Sequence, residues 1–333
     1  MKELLRIEDL SVAFGPHGAR RRVTEGVSLS VGAGEKVALV GESGSGKSVT
    51  ALSVLRLHDP QMTGYSGRIH LEGRDLLRLT ERELRRVRGR DVAMVFQEPM
   101  TSLNPVYPIS EQLIEPLTVH IGLDRVAARA RAIELLGRVG LPDPGQRIDA
   151  FPHMLSGGQR QRVMIAIALS CKPDILIADE PTTALDVTIQ DQILELIQTL
   201  VQEEGMALIL ISHDLGVISE NTDNILVMYG GAAVEMGRTE RIFDELVHPY
   251  TQGLFAAMPK LGRARSARLV TIPGTVPDLI NLPVGCTFTD RCPLATELCR
   301  DVPPPPVEVE AGHMVACHHR EEARRRKTEE LFS

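Results

Sequence analysis

The octapeptide Gly41-Glu42-Ser43-Gly44-Ser45-Gly46-Lys47-Ser48, entered from the apolar run Val37-Ala38-Leu39-Val40, leaves this chain few options. It fits G-x-x-x-x-G-K-[ST], in which backbone N–H groups turn toward phosphate oxygens, the lysine reaches the outer phosphates and the hydroxyl sits on Mg²⁺. Such a loop needs a buried strand before it and a helix after it, because the first N–H groups of that helix and the positive end of its dipole complete the anion site. The pattern therefore predicts a strand over 37–40, a helix over 49–57 and a bound nucleoside triphosphate. A plain Gly/Ser-rich turn does not account for both flanks.

At 333 residues the chain is long enough for about two domains. A formal net charge of −7 argues against a nucleic-acid partner, which calls for a basic excess. With 4 Tyr, 7 Phe and no Trp there is little to stack on bases. No apolar run approaches the ~20 residues of a membrane helix. The opening Met1-Lys2-Glu3-Leu4-Leu5-Arg6 alternates charged and apolar residues and has no signal-peptide core. The expected location is the cytoplasm, with membrane attachment supplied by partner proteins.

Alternating apolar and polar positions over 4–14 and 23–31 predict half-buried antiparallel strands, and 68–77 a further strand with a turn at Gly73. A short buried strand over 92–96 ends at Gln97-Glu98-Pro99. Val126, Ala130, Ile133, Leu136 and Val139 then recur at helical spacing, marking an amphipathic helical insertion within 98–171. A second helix is expected over 158–170. The runs 175–178 and 207–211 are continuously apolar, as in strands covered on both faces, and a helix over 188–203 joins them. Strands over 224–228 and 232–236 follow. Beyond residue 245 the sequence turns Pro-rich and Cys-containing, which marks the expected domain boundary.

Asp179-Glu180 stands at the tip of the apolar run 175–178, where an α/β sheet places ligand chemistry. Asp179 suits Mg²⁺, and Glu180 suits the polarising of a water that attacks a γ-phosphate. His213 and Gln97 end two other strands and suit the γ-phosphate and Mg²⁺ or water, respectively. In Leu155-Ser156-Gly157-Gly158-Gln159 a helix N-terminus is exposed to an anion. A simple N-cap explains Ser156 but leaves the two glycines and Gln159 unexplained.

Taken in order, the loop 41–48, Gln97, Ser156 to Gln159, Asp179-Glu180, Ala184-Leu185-Asp186 and His213 resemble the ATP-binding subunit of an ABC transporter. The resemblance covers about three-quarters of the chain. It implies an α/β, RecA-like P-loop core with an antiparallel β-subdomain and an inserted helical subdomain over about 98–171, the ATPase part filling 1–245. It further implies ATP hydrolysis with Mg²⁺ held through Ser48, Gln97 and Asp179, Glu180 as general base and His213 on the γ-phosphate. Each ATP would lie between 41–48, continued by Val49, of one chain and Ser156, Gly157, Gly158 and Gln159 of a second ATPase subunit, with Asp186 linking the two sites. Phe14 falls near the family's adenine-stacking aromatic, although packing in a strand core suits it almost as well.

In the tail, His248-Pro249-Tyr250-Thr251, Gly285-Cys286-Thr287-Phe288 and Arg291-Cys292-Pro293 resemble the C-terminal extension (246–333) of dipeptide and oligopeptide importer ATPases. That resemblance implies peptide uptake with two transmembrane permease subunits and an extracytoplasmic solute-binding protein, the chain lying peripherally on the cytoplasmic face of the cell (inner) membrane. The rival from another class is a non-transport ABC-type ATPase acting on DNA or ribosomes. Cys286, Cys292, Cys299 and Cys317 are separated by five, six and seventeen residues, which is not the paired spacing of a zinc ribbon. They suit a [4Fe–4S] cluster, which some peptide-importer ATPases carry, with zinc or free thiols as alternatives and His313, His318 and His319 as nearby alternative ligands. Cys171 reads as a core residue.

Overall fold

A computed structural model describes residues 2–183, 185–257, 271–279, 282–326 and 328–332. Among the described residues twelve strands run in chain order: β1 (Glu3–Phe14), β2 (Arg21–Gly32), β3 (Lys36–Val40), β4 (Thr63–Leu71), β5 (Arg74–Asp75), β6 (Val92–Val95), β7 (Ile175–Asp179), β8 (Ala207–Ile211), β9 (Asn224–Tyr229), β10 (Ala232–Arg238), β11 (Val307–Glu310) and β12 (His313–Val315). The chain forms two compact units, one of Met1–Leu4, Gly32–Glu35 and Arg78–Ile211, the other of Leu5–Val31, Lys36–Leu77 and Ser212–Ser333. The elements are those of the expected α/β architecture.

In the first unit β6, β7 and β8 are parallel neighbours, with Val92 opposite Ile175 and Ile175 opposite Ala207. Every residue of these strands is buried, which is why all of them but Asp179 are apolar. The helix Val187–Glu204 makes the crossover from β7 to β8, capped by Asp186, whose carboxylate accepts the Ile189 N–H at 3.1 Å.

Between β6 and β7 lie the helices Ile109–Pro116, Arg125–Arg138 and Gly157–Leu169. The helix Arg125–Arg138 starts at Asp124, which accepts the N–H groups of Val126 and Ala127 at 2.9 Å each. Its buried residues are Ala128, Ala132, Leu135 and Leu136, continued by Val139; Val126 and Ala130 are exposed. The expected face is therefore corrected. The helical period was right, but small alanines line the inner side because they let neighbouring helices approach, while the larger Val126 faces outward.

The second unit holds a sheet of order β2-β1-β4-β5 and the strand series β11-β12-β10-β9-β3. In the first of these β1 runs antiparallel to β4, Leu5 opposite Leu71, and Gly73, at φ +80, makes the turn into β5. In the second, β3 and β9 are parallel, β10 returns antiparallel to β9, and β12 and β11 extend the edge beyond β10. The Pro-rich tail thus contributes two strands that were not expected, and they cover an edge that would otherwise expose unpaired backbone.

The tail also shares its core with β3 and β9. Ala38, Val40, Ile225, Val227 and Tyr229 cluster with Tyr250, Phe255, Phe288, Leu294, Ala323, Leu331 and Phe332. Phe288 is 1% exposed, with ring centroids 5.1 Å from Tyr229 and 5.5 Å from Tyr250. Phe288→Ala is expected to cost about 3–5 kcal/mol in urea unfolding of the full chain, the usual loss for a buried aromatic. A loss near zero would mean that the tail does not support this core.

Candidate nucleotide site

The loop 41–48 leaves β3 and enters the helix Lys47–Val54, whose N-terminus has no side-chain cap. Gly41 sits at φ +148, and a Cβ there would collide with the Met228 carbonyl oxygen, so only glycine lets the chain leave β3 in this direction. Lys47 is buried, its Nζ donating to the carbonyls of Gly41 at 2.8 Å and Glu42 at 3.0 Å and to Ser45 Oγ at 3.4 Å. The loop thus folds around its own cation. Ser43 and Gly44 are exposed, whereas Ser48 and Val49 are half-buried on the first helical turn.

Two further predicted residues lie in the same unit. Phe14, at the end of β1, is half-buried and meets the edge of His58 with centroids 4.9 Å apart. It lies outside the closed strand core. His213 is exposed just beyond β8.

In the first unit, Asp179 ends β7 and is 4% exposed. Glu180 follows at φ +43, a conformation uncommon for a residue with a Cβ, and its N–H donates to the Ile211 carbonyl at 3.0 Å. Its Oε2 accepts the Gln97 amide at 3.0 Å and the Thr183 hydroxyl at 3.0 Å. The structure therefore joins Gln97 to Glu180, although their strands were read separately. Thr183 was missed, since nothing in its type distinguishes it from other loop threonines. Ala184, in the expected Ala184-Leu185-Asp186 motif, lies outside the described residues.

Ser156 caps the helix Gly157–Leu169 in a reciprocal arrangement: its hydroxyl accepts the Gln159 N–H at 3.3 Å, and Gln159 Oε1 accepts the Ser156 N–H at 3.1 Å. This corrects the reading of Gln159, which capping does explain. Ser156 and Gly157 are exposed, and a Cβ at Gly158 would come within 3.1 Å of Ile189 Cγ2.

Residues 24–183 match the ABC transporter family model, and residues 234–299 match that of the oligopeptide/dipeptide transporter C-terminal region. Over 316 residues the chain is 48% identical to the dipeptide transport ATP-binding protein DppD of Escherichia coli (strain K12), covering 95% of this chain and 96% of that protein. The chain belongs to the ABC transporter ATP-binding subunits. A putative peptide import ATP-binding protein of Brucella abortus (strain 2308) is 52% identical over 304 residues, covering 91% of each. Among solved structures, a dimeric post-hydrolysis ATP-binding cassette bound to ADP and Pi matches with TM-score 0.62 at 27% identity, covering 71% of this chain and 99% of that one. The subunit is accordingly an ABC-type ATPase. No helix among its described residues is long and apolar enough to cross a membrane.

In the tail of this ABC subunit, Cys299 and Cys317 are buried, Cys286 and Cys292 are partly so, and none forms a disulfide. Burial above all, with smaller contributions from neighbouring thiols that include Cys286 and Cys299, pushes the thiols of Cys292 and Cys317 up to about 12. Among the described residues no three His, Cys, Asp or Glu side chains form a group that could hold a metal ion. Each of the three histidines named beside the cysteines has its Nε2 engaged, while His313 Nδ1 is buried without a partner among the described residues. His313 Nε2 lies 2.8 Å from Glu235, His318 Nε2 2.9 Å from the Val302 carbonyl and His319 Nε2 2.9 Å from Thr296 Oγ1. Cys171 is 6% exposed, as its core reading requires.

Gly41→Ala is expected to abolish nucleotide binding by the full chain in a fluorescent-ATP titration, since the loop cannot keep its path past Met228. Retained affinity would show that the loop tolerates another path.

Proposed function

We propose that this chain is the ATP-hydrolysing subunit of an importer for dipeptides or oligopeptides, working as one of two ATPase subunits on a pair of membrane permeases fed by a solute-binding protein. In this reading the chain lies peripherally on the cytoplasmic face of the cell membrane. Residues 1–245, with the helical part over about 98–171, do the ATPase work, and 246–333 form the importer-type extension. The observation that carries the reading is the restrained carboxylate of Glu180, held by Gln97 and Thr183 in a chain that also keeps the complete loop 41–48. The names of the relatives and the net charge of −7 favour it over a DNA- or ribosome-associated ATPase.

Backbone N–H groups of the loop, Lys47 and Val49 hold the phosphates, and Phe14 takes the adenine. Ser48, Gln97 and Asp179 offer hard oxygen donors of the kind Mg²⁺ takes. When bound there, Mg²⁺ would supply charge neutralisation for the phosphates. Glu180 orients and polarises the attacking water, and its two neutral donors fix the carboxylate before substrate arrives, so little reorganisation is left for the reaction. His213 contacts the γ-phosphate. Ser156, Gly157, Gly158 and Gln159 serve the ATP of the companion subunit from the exposed start of their helix, with Asp186 linking the two sites.

Glu180→Gln, in the assembled transporter, is expected to bind ATP yet lower hydrolysis by about 10²–10³-fold, the scale of losing one preorganised catalytic group, and to trap the closed ATPase dimer. Hydrolysis at the native rate would remove Glu180 from the role of base. In proteoliposomes, peptide with its binding protein should stimulate ATPase and drive uptake. A transporter indifferent to peptides would overturn the substrate class.

For the tail cysteines we propose a [4Fe–4S] cluster held by Cys286, Cys292, Cys299 and Cys317. Four soft thiol donors support it, with Cys286 and Cys299 near enough to help raise the thiols of Cys292 and Cys317. When bound, the cluster would supply one-electron redox chemistry and tie together four stretches of the tail. Anaerobically purified full chain should be brown with broad visible absorbance, lost in Cys292→Ser. A colourless preparation with stoichiometric zinc would sink the assignment.

A further inference from the structure

Glu42 poses an electrostatic problem. It is the first variable residue of a loop built to hold phosphates, and a carboxylate there repels the ligand. Its side chain is only 29% exposed, so solvent screens it partially.

The tail supplies the answer through Arg291, whose side chain is 5% exposed. Its Nη1 donates to Glu42 Oε2 at 2.7 Å and its Nη2 to Glu42 Oε1 at 3.2 Å, the two-pronged pairing that guanidinium and carboxylate favour. The remaining donors are also placed: Nε on the Pro273 carbonyl at 2.9 Å, Nη2 on the Ile272 carbonyl at 3.3 Å and Nη1 on the Tyr229 hydroxyl at 3.2 Å. The guanidinium carbon lies 5.7 Å from the centroid of the Tyr229 ring. An arginine with every donor direction occupied and little exposure has one orientation, so it fixes the direction of the carboxylate it grips.

A second contact from the tail reaches the same residue. The Glu42 N–H donates to the Tyr250 hydroxyl at 2.8 Å. Tyr250 is fully buried at the start of the helix Pro249–Ala256, whose N-cap, His248, accepts the Tyr250 N–H at 3.0 Å through Nδ1. Backbone and side chain of Glu42 are thus both held by residues beyond 245.

We propose that Arg291 is a positioning residue for ATP binding: it neutralises Glu42 and turns that carboxylate away from the phosphates, so that the C-terminal extension sets the affinity of the phosphate loop. This rests on the reading of 41–48 as the phosphate site. Removing Arg291 frees a carboxylate to repel ATP, whereas removing the carboxylate as well removes the repulsion. A purely structural brace has no such rescue.

The test is a double-mutant cycle on KM and kcat for MgATP in the assembled transporter. R291Q is expected to raise KM about tenfold when residue 42 is glutamate, and by less than about twofold when E42Q is present, with kcat changing less than KM in both backgrounds. An unchanged KM in R291Q, or an equal rise in both backgrounds, overturns the proposal. Should R291Q fail to accumulate, R291K carries the same comparison. It keeps the charge but loses the fork, and is expected to raise KM about threefold in the native background and to leave it nearly unchanged in the E42Q background; equal KM with and without R291K overturns it. K47A separates the two levels. If K47A binds ATP as the native chain does, the phosphate-site reading fails and this proposal with it. If K47A loses ATP while R291Q leaves KM unmoved, only the present proposal fails.

Discussion

The second unit depends on how closely bare backbone can approach bare backbone where β3 meets the turn between β9 and β10. A side chain at Gly41 would strike the Met228 carbonyl, and one at Gly231 the Val23 carbonyl. The Gly231 N–H donates to Ser45 O at 3.1 Å, which ties the turn to the floor of the loop. The walls of the phosphate cradle are therefore peptide groups. Lys47, bound to two loop carbonyls, keeps its charge within the cradle. A site built this way asks little reorganisation of itself when ligand arrives.

That same turn carries the tail. Tyr229, the last residue of β9, packs its ring 4.5 Å from Tyr250 and 5.1 Å from Phe288, while its hydroxyl accepts from Arg291. Burying each such aromatic stabilises by roughly 1.5–3 kcal/mol, a large share of the roughly 5–15 kcal/mol that holds a typical domain together. The tail is therefore embedded in the fold of the nucleotide-binding unit. A change in how Phe288 or Cys292 packs has a short physical route to Glu42, because Arg291 lies between them in sequence and reaches the loop directly.

What could be read from the sequence was whatever obeys a local rule. The loop 41–48 carries its glycines and lysine in fixed order, the strands 175–179 and 207–211 are apolar almost throughout, and Asp179-Glu180 follows a strand end. The failures share one cause: their physics is tertiary. The period of Arg125–Arg138 was legible, but whether Val126 or Ala128 faces inward depends on how near the neighbouring helix comes. β12 was hidden in a Pro-rich stretch because its pairing partner, β10, lies far back in the chain (Glu235 opposite Val315), and β11 pairs only with β12. Arg291 stood in a recognisable Arg-Cys-Pro string, yet a buried arginine is intelligible only through its acceptor, here 249 residues distant.

The Glu42–Arg291 pair is a poor device for stability alone. Two charges taken largely out of water lose hydration that their attraction only partly restores, and well-packed apolar residues often serve as well or better. A fork-to-fork pair does supply direction, since the plane of the guanidinium dictates the plane of the carboxylate. In a loop whose ligand carries several negative charges, the direction of a carboxylate matters more than the energy of its ion pair. A lysine in place of Arg291 would supply the charge without the plane, and a glutamine in place of Glu42 would remove the repulsion but leave a buried cation without its counter-charge. The two residues therefore make sense only together, one setting the electrostatic problem of the loop and the other answering it from the opposite end of the sequence.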